Sequence, residues 1–166
     1  MKKNVLIIVS LILVAILATG YYFLNKPLPP TQEELSSRKT VEDYFIEHMN
    51  VSPEEAKLMA SDGVMLRLSP NSTLQGVIGN LYHYGFIDDE AKFEKLLETS
   101  VDSTPGKEGS IKSGSNTIDV NSNYYLNYSM TDEEIADTLL NKAKFEPNFT
   151  QYNYLFMPSG PDTINN

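Results

Sequence analysis

An uninterrupted apolar run opens the chain. Residues 5–24 include no charged side chain, and about 20 apolar residues in a helix match the hydrocarbon thickness of a bilayer. Lys2 and Lys3 precede the run, and positive charge favours the cytoplasmic side of a membrane. The pattern therefore predicts a cytoplasmic tail (1–4), one transmembrane helix (5–24) and an extracytoplasmic remainder, in a single-pass protein of the cell membrane.

A cleaved signal peptide is the alternative interpretation of this run. Ala18 and Gly20 are small residues of the kind that precede a cleavage site. The apolar run is longer than the core of about 7 to 15 residues that is typical of signal peptides. We therefore expect the segment to be retained as an anchor.

Polar and helical segments follow the run. Residues 25–39 contain the sequence KPLPPT, whose prolines cannot continue a helix, so an extended spacer is predicted. Residues 40–63 show two helix starts, at Thr40 and Ser52. A DNA-reading helix-turn-helix also has two short helices, but this segment is acidic. A helical neck is the prediction that we retain.

A strand and two helices are predicted next. In residues 64–69 apolar and polar side chains alternate, as in a strand with one buried face. Ser72 with Gln75 predicts the start of an amphipathic helix, and Asp88 or Asp89 predicts the cap of another. Their apolar residues recur at helical spacing and are expected in the core: Leu74, Val77, Ile78, Leu81, Phe93, Leu96 and Leu97.

The last part of the chain combines a loop, strands and a helix. Residues 99–117 are rich in serine and glycine and are predicted to form a mobile loop. The β-prone segment 124–128 predicts a second strand that pairs with the first. Residues 131–134, with the sequence TDEE, predict a capped helix, and residues 152–157 predict a short strand. Ile135 and Leu139 are expected to complete the core.

Composition excludes several kinds of site. The net charge is −9, which is the wrong sign for attraction to nucleic acid. The chain has no cysteine and two histidines, so disulfides are excluded and a metal site would need several converging carboxylates. We therefore expect no nucleic acid partner, no metal and no cofactor.

A resemblance to a bacterial family rests on three phrases of the sequence. They are VMLRLSPNSTLQGVIGNLYHYGFI followed by DDEAKFEKLLE, then SNYYLNYSMTDEEIADTLL, and finally YLFMPSGPDT. Together they resemble the YceG-like family of endolytic murein transglycosylases. Ser122 stands where that family usually has glycine, and Ser159 stands where it has glutamate. The resemblance implies an α+β fold: a transmembrane helix followed by a small LysM-like βααβ-type domain with extra helices, in residues 64–166.

The resemblance also implies a function without catalysis. The family's catalytic domain and its glutamate have no counterpart here, so no catalytic residue is assigned. The LysM-like portion implies weak binding of peptidoglycan glycan strands. A protein-interaction scaffold or regulator in a cell-wall synthesis complex and a truncated transglycosylase are the alternatives.

Exposed aromatic rings are the candidate glycan contacts. Aromatic faces beside polar groups suit sugar rings, and five tyrosines surround the predicted strand and helix ends. Partly buried packing is the competing interpretation of the same residues. The predicted binding residues are Tyr82, Tyr84, Tyr124, Tyr125 and Tyr128.

Overall fold

The computed structural model describes residues 12–17, 19–21, 31–145 and 155–158. The chain divides into two compact units, Met1–Pro30 and Thr31–Asn166. In chain order, the elements of the second unit are α1 (Gln32–Ser36), α2 (Val41–Met49), α3 (Pro53–Ser61), β1 (Val64–Leu68), α4 (Leu74–His83), α5 (Glu90–Thr99), β2 (Ile111–Ser113), β3 (Asn116–Ile118), β4 (Ser122–Leu126), α6 (Asp132–Asn141), β5 (Lys144–Phe145) and β6 (Phe156–Pro158).

The prediction of a transmembrane helix is wrong. In the first unit, residues 12–17 and 19–21 are helical. Among the residues that the structure describes, no helix has both the length and the apolar character needed to cross a bilayer. The single-pass membrane location and the extracytoplasmic domain predicted from that helix are corrected with it. The predicted tail (1–4) and the rest of 5–24 lie outside the described residues.

The three helices that open the second unit begin at hydroxyl side chains. Thr31, Thr40 and Ser52 each accept a hydrogen bond from a backbone N–H group in the first turn, which satisfies a donor that the helix itself leaves unpaired. The predicted starts at Thr40 and Ser52 are confirmed. The extended spacer (25–39) is wrong in its second part, because a complete capping box at Thr31 starts helix α1 there; residues 25–30 lie outside the described residues.

The main sheet is antiparallel and has the strand order β5-β4-β1-β6. In β1, Val64, Leu66 and Leu68 are buried while the residues between them are half-buried, as the alternation predicts. The predicted pairing of the first two strands is confirmed, since Leu66 lies opposite Tyr124. On the other side of β1, Leu66 lies opposite Phe156. The strand predicted at 152–157 corresponds to β6, and residues 152–154 lie outside the described residues.

Helices α4, α5 and α6 carry most of the predicted core. Seven of the predicted core side chains are buried: Leu81, Phe93, Leu97, Ile135, Leu139, Val77 and Ile78. Two others, Leu74 and Leu96, are partly buried. The start of α4 differs by one residue from the prediction, because Thr73 rather than Ser72 is the cap. Asp89 caps α5, and the capping box at Thr131 starts α6 as predicted.

A two-stranded hairpin corrects the predicted loop at 99–117. β2 and β3 pair so that Ile111 lies opposite Ile118. The amide of Asn116 donates hydrogen bonds to the carbonyl oxygens of Leu97 and Ser100, both at 2.8 Å. Asp102 accepts from the backbone N–H of Thr117 at 2.8 Å. Polar contacts therefore order this segment, and apolar periodicity could not indicate them.

An aromatic cluster joins β6 to the helices. The ring of Phe156 is fully buried and meets the rings of Tyr44 and Tyr84 edge-on, with centroids 5.5 Å and 5.1 Å away. Phe86 stacks on Phe156 at 5.5 Å and on Tyr128 at 4.6 Å. Such pairs each add about 0.5–1.5 kcal/mol beyond the area they bury. Several tyrosines are therefore part of the packed interior.

Taken in order, β1, α4, α5 and β4 form a strand–helix–helix–strand unit. Its two strands pair antiparallel, and the β2–β3 hairpin is inserted before the second of them. The described part of the second unit is α+β, with six helices and two antiparallel sheets.

Candidate binding groove

Two of the five predicted glycan-binding tyrosines belong to the core. Tyr124 is 0% exposed and Tyr84 is 7% exposed. The hydroxyl of Tyr124 donates to the carbonyl oxygen of Asp119 at 2.7 Å, and burial raises the pKa of Tyr124. Their rings have no face to offer a ligand, so for these two residues the packing interpretation is correct.

Tyr82 and Tyr128 are held by structural contacts. The guanidinium of Arg38 lies 4.8 Å from the ring centre of Tyr82 and donates to the carbonyl oxygens of Tyr82 and Ile87 at 2.8 Å and 2.5 Å. The hydroxyl of Tyr128 accepts from the backbone N–H of Val41 and donates to the carbonyl oxygen of Tyr84, both at 2.9 Å. Burial raises the pKa of Tyr128. Both tyrosines are therefore fixed by contacts within their own unit, although Tyr128 is 47% exposed.

Tyr125 is the fifth predicted tyrosine. Its side chain lies on the face of the sheet opposite to that of Tyr124. It stands opposite Met65 of β1, is 41% exposed, and donates its hydroxyl hydrogen to the carbonyl oxygen of Asp62. That bond fixes the ring at the end of helix α3. The structure therefore does not bring the five tyrosines into one platform.

A groove opens beside Tyr125, between strand β4 and helix α6, and we call it the β4–α6 groove. Its volume is about 300 Å³. Tyr125, Asn127 and Lys144 line the strand side, and the helix side is lined by Met130, Glu134, Thr138 and Lys142. Apart from Tyr125, none of these residues was expected at a site, although Glu134, Thr138 and Lys142 recur at a spacing of four and share one helix face.

Beyond β5, no described strand pairs with the edge of β4 along this groove. β5 pairs only with Ser122 and Asn123. The N–H of Arg67 donates to the carbonyl oxygen of Leu155 at 2.7 Å, so Arg67 directs its backbone groups toward β6. Because these directions alternate along an antiparallel strand, Leu66 directs its groups toward β4.

The same alternation fixes the direction of the backbone groups of β4. Tyr124 faces Leu66 in the register, so its N–H and C=O groups point toward β1. The next residue, Tyr125, points its N–H and C=O groups away from β1, toward the groove. Among the described residues, no backbone hydrogen bond joins Tyr125 to a residue on that side. An unpaired strand edge of this kind is a template for another extended chain.

The charges along the groove are unequal at its two ends. Lys142 and Lys144 lie beside the pairing of β4 with β5. Lys142 pairs with Asp137 at 2.7 Å, and Lys144 forms no ion pair with a described residue. At the other end, Glu134 accepts a hydrogen bond from the N–H of Thr131 at 2.8 Å and serves the cap of α6. The lysine end is therefore the one with a cation available to a ligand.

Metal ligation is not indicated where the structure describes the chain. Within residues 12–17, 19–21, 31–145 and 155–158, no group of three or more His, Cys, Asp or Glu side chains is arranged to hold a metal ion. His48 and His83 are both exposed. The groove thus offers a ring, an open peptide edge and ammonium groups, which are means of binding.

Comparison of the chain with known protein families, with curated proteins and with solved structures finds no match.

Proposed function

We propose that the folded unit after residue 31 is a protein-interaction module that holds an extended segment of a partner in the β4–α6 groove. The observation that carries the proposal is the backbone of Tyr125 at the edge of β4, which pairs with no described residue on the groove side. Extended peptides bind such edges through main-chain hydrogen bonds, and neighbouring pockets select their side chains. A role in cell-wall synthesis rests on the resemblance of the sequence alone.

Four described carboxyl groups have pKa values shifted away from the range that acid catalysis needs. A general acid for glycosidic bonds needs a carboxyl group whose pKa is raised. Here hydrogen bonds from backbone and side-chain donors lower the pKa of four carboxyl groups, which keeps them charged. These groups are Glu34, Asp43, Glu133 and Asp137.

Weak binding of peptidoglycan glycan is the second candidate. The favouring observation is that the ring of Tyr125 is 41% exposed at the groove, since an aromatic face beside polar groups can hold a sugar ring. The scaffold interpretation stands ahead of it because Tyr84 and Tyr124 are core residues and Tyr82 lies under Arg38.

A selection from random heptapeptides tests the proposal. Heptapeptides are selected on the full chain, and the affinities of the enriched peptides are measured for two variants. Lys142→Trp places a large ring at the rim of the groove. Lys95→Trp is the matched control, because Lys95 is also an exposed, ion-paired lysine, and it does not line the groove.

The expected result is at least about a tenfold loss of affinity in Lys142→Trp, with little change in Lys95→Trp. The unfolding midpoints of both variants should stay near that of the parent, since both sites are exposed. Failure to enrich any peptide, or equal affinities in the two variants, would refute the proposal. Sedimentation with purified sacculi is measured in parallel, and retention that only Lys142→Trp abolishes would put the glycan candidate in its place.

A further inference from the structure

The direction of β5 sets the direction of any chain that fills the β4–α6 groove. β5 runs antiparallel to β4 and covers Ser122 and Asn123. A segment added beside Tyr125 in the same antiparallel sense would run in line with β5 and would lie before it. Its C-terminal end would therefore point toward the residues at which β5 begins.

Lysines occupy that end of the groove. Lys144 is the first residue of β5, it lies opposite Asn123, and it is exposed. From Asn123 to Tyr125 is two residues, which spans about 7 Å along a strand. Continued along the chain, the same register places position 142 opposite Tyr125, so an added chain has to end at the residue that pairs with Tyr125, beside Lys142 and Lys144.

The charge at this end is unusual for the chain. The protein carries a net charge of −9, yet two lysines lie at the closed end of the groove, and Asp137 is bonded to one of them only. An ammonium group at the end of a short strand site complements a carboxylate that the added chain brings there. An internal peptide segment would have to turn away at the same point, because β5 occupies the next positions on β4.

We propose that the β4–α6 groove takes the free C-terminus of a partner protein, added antiparallel to β4, with backbone pairing at Tyr125 and its terminal carboxylate on Lys144. This inference rests on the proposed interaction function and names its ligand. The residue opposite Tyr125 directs its side chain to the same face as the Tyr125 ring. An apolar residue is therefore expected at the terminus itself.

Three forms of one selected peptide test the inference. The probe is the tightest heptapeptide from a library that is displayed with free C-termini, made as the acid, as the C-terminal amide, and as the acid with one N-methyl group on the amide that would pair with Tyr125. The amide lacks the negative charge that a charge-assisted hydrogen bond to Lys144 needs. The amide should therefore bind about tenfold more weakly than the acid, and the N-methyl form should lose affinity to at least a similar extent.

Lys144→Met connects the preference to its residue. In this variant the acid and the amide should bind equally, whereas Lys112→Met, at another exposed lysine in a strand, should keep the preference for the acid. Equal binding of acid and amide to the unaltered chain, with both still blocked by Lys142→Trp, would overturn this inference and leave the interaction function standing. If neither form binds, both proposals fail.

Discussion

Substitution of Gly63 by alanine tests how closely the connection between α3 and β1 packs against strand β4. Gly63 has φ +96°, and a Cβ atom added there would lie 2.6 Å from the carbonyl oxygen of Leu126 and 2.9 Å from the hydroxyl oxygen of Tyr125. The left-handed backbone costs an alanine roughly 1–2 kcal/mol. The contact with a backbone oxygen adds the cost of overpacking, about 1–3 kcal/mol. The expected destabilisation is therefore about 2–5 kcal/mol.

Gly106→Ala is the control that separates the two costs. Gly106 has φ +83°, but nothing lies within 4 Å of the position of its Cβ. Only the backbone cost of roughly 1–2 kcal/mol should remain there. Urea unfolding of both variants measures the difference. Equal midpoints would contradict this expectation, because the close approach of Leu126 to Gly63 would then cost nothing.

Three other substitutions or conditions test the core, the buried tyrosine and a cap. Leu81→Ala should destabilise by about 2–5 kcal/mol, and Leu58→Ala, at a side chain 74% exposed, by under about 0.5 kcal/mol in the same urea assay. Tyr124→Phe removes the donor to the half-buried carbonyl oxygen of Asp119 and should cost about 0.5–1.5 kcal/mol in thermal unfolding. Hydrogen bonds from Thr40 lower the pKa of Asp43 from 3.8, so its contribution to stability is present above about pH 4 and declines as the pH falls through the lowered value. Asp43→Asn should show a smaller loss of stability than the parent between about pH 5 and pH 2.

Local signals in the sequence were sufficient for most helices. The capping box at Thr131 starts α6, and the apolar spacing around Leu81 and Ile135 predicts side chains that prove to be buried. These features depend on residues three or four positions apart, and the spacing of apolar residues along the sequence shows which of them share a helix face. The alternation in β1 is likewise local, and it correctly predicts which face of the strand is buried.

The error at residues 99–117 comes from interactions between residues that are distant in sequence. The β2–β3 hairpin is held by the amide of Asn116 and the carboxylate of Asp102, and no hydrophobic period marks such contacts. The predicted membrane span has a different origin, because it is inferred from the apolar composition of residues 5–24 alone. No described helix is long and apolar enough to cross a bilayer.

The candidate site was only partly predictable for the same reason. The five tyrosines have the same side chain, but the exposure of each one depends on the residues packed around it. Tyr124 and Tyr125 are adjacent in the chain and point to opposite faces of the sheet, so one is buried and the other lines the groove. The groove itself requires the register of β4 with β5, which a single sequence does not contain.

Hydrogen exchange at one backbone amide tests whether a partner chain pairs with the edge of β4. The N–H of Tyr125 points into the β4–α6 groove, whereas the N–H of Leu126 points toward β1. Exchange of both amides is measured by NMR with and without saturating amounts of the selected C-terminal peptide. Exchange at Tyr125 should slow by at least about tenfold when the peptide binds, because a new backbone hydrogen bond forms there. Exchange at Leu126 should change much less. An unchanged rate at Tyr125 with the peptide fully bound would contradict the account.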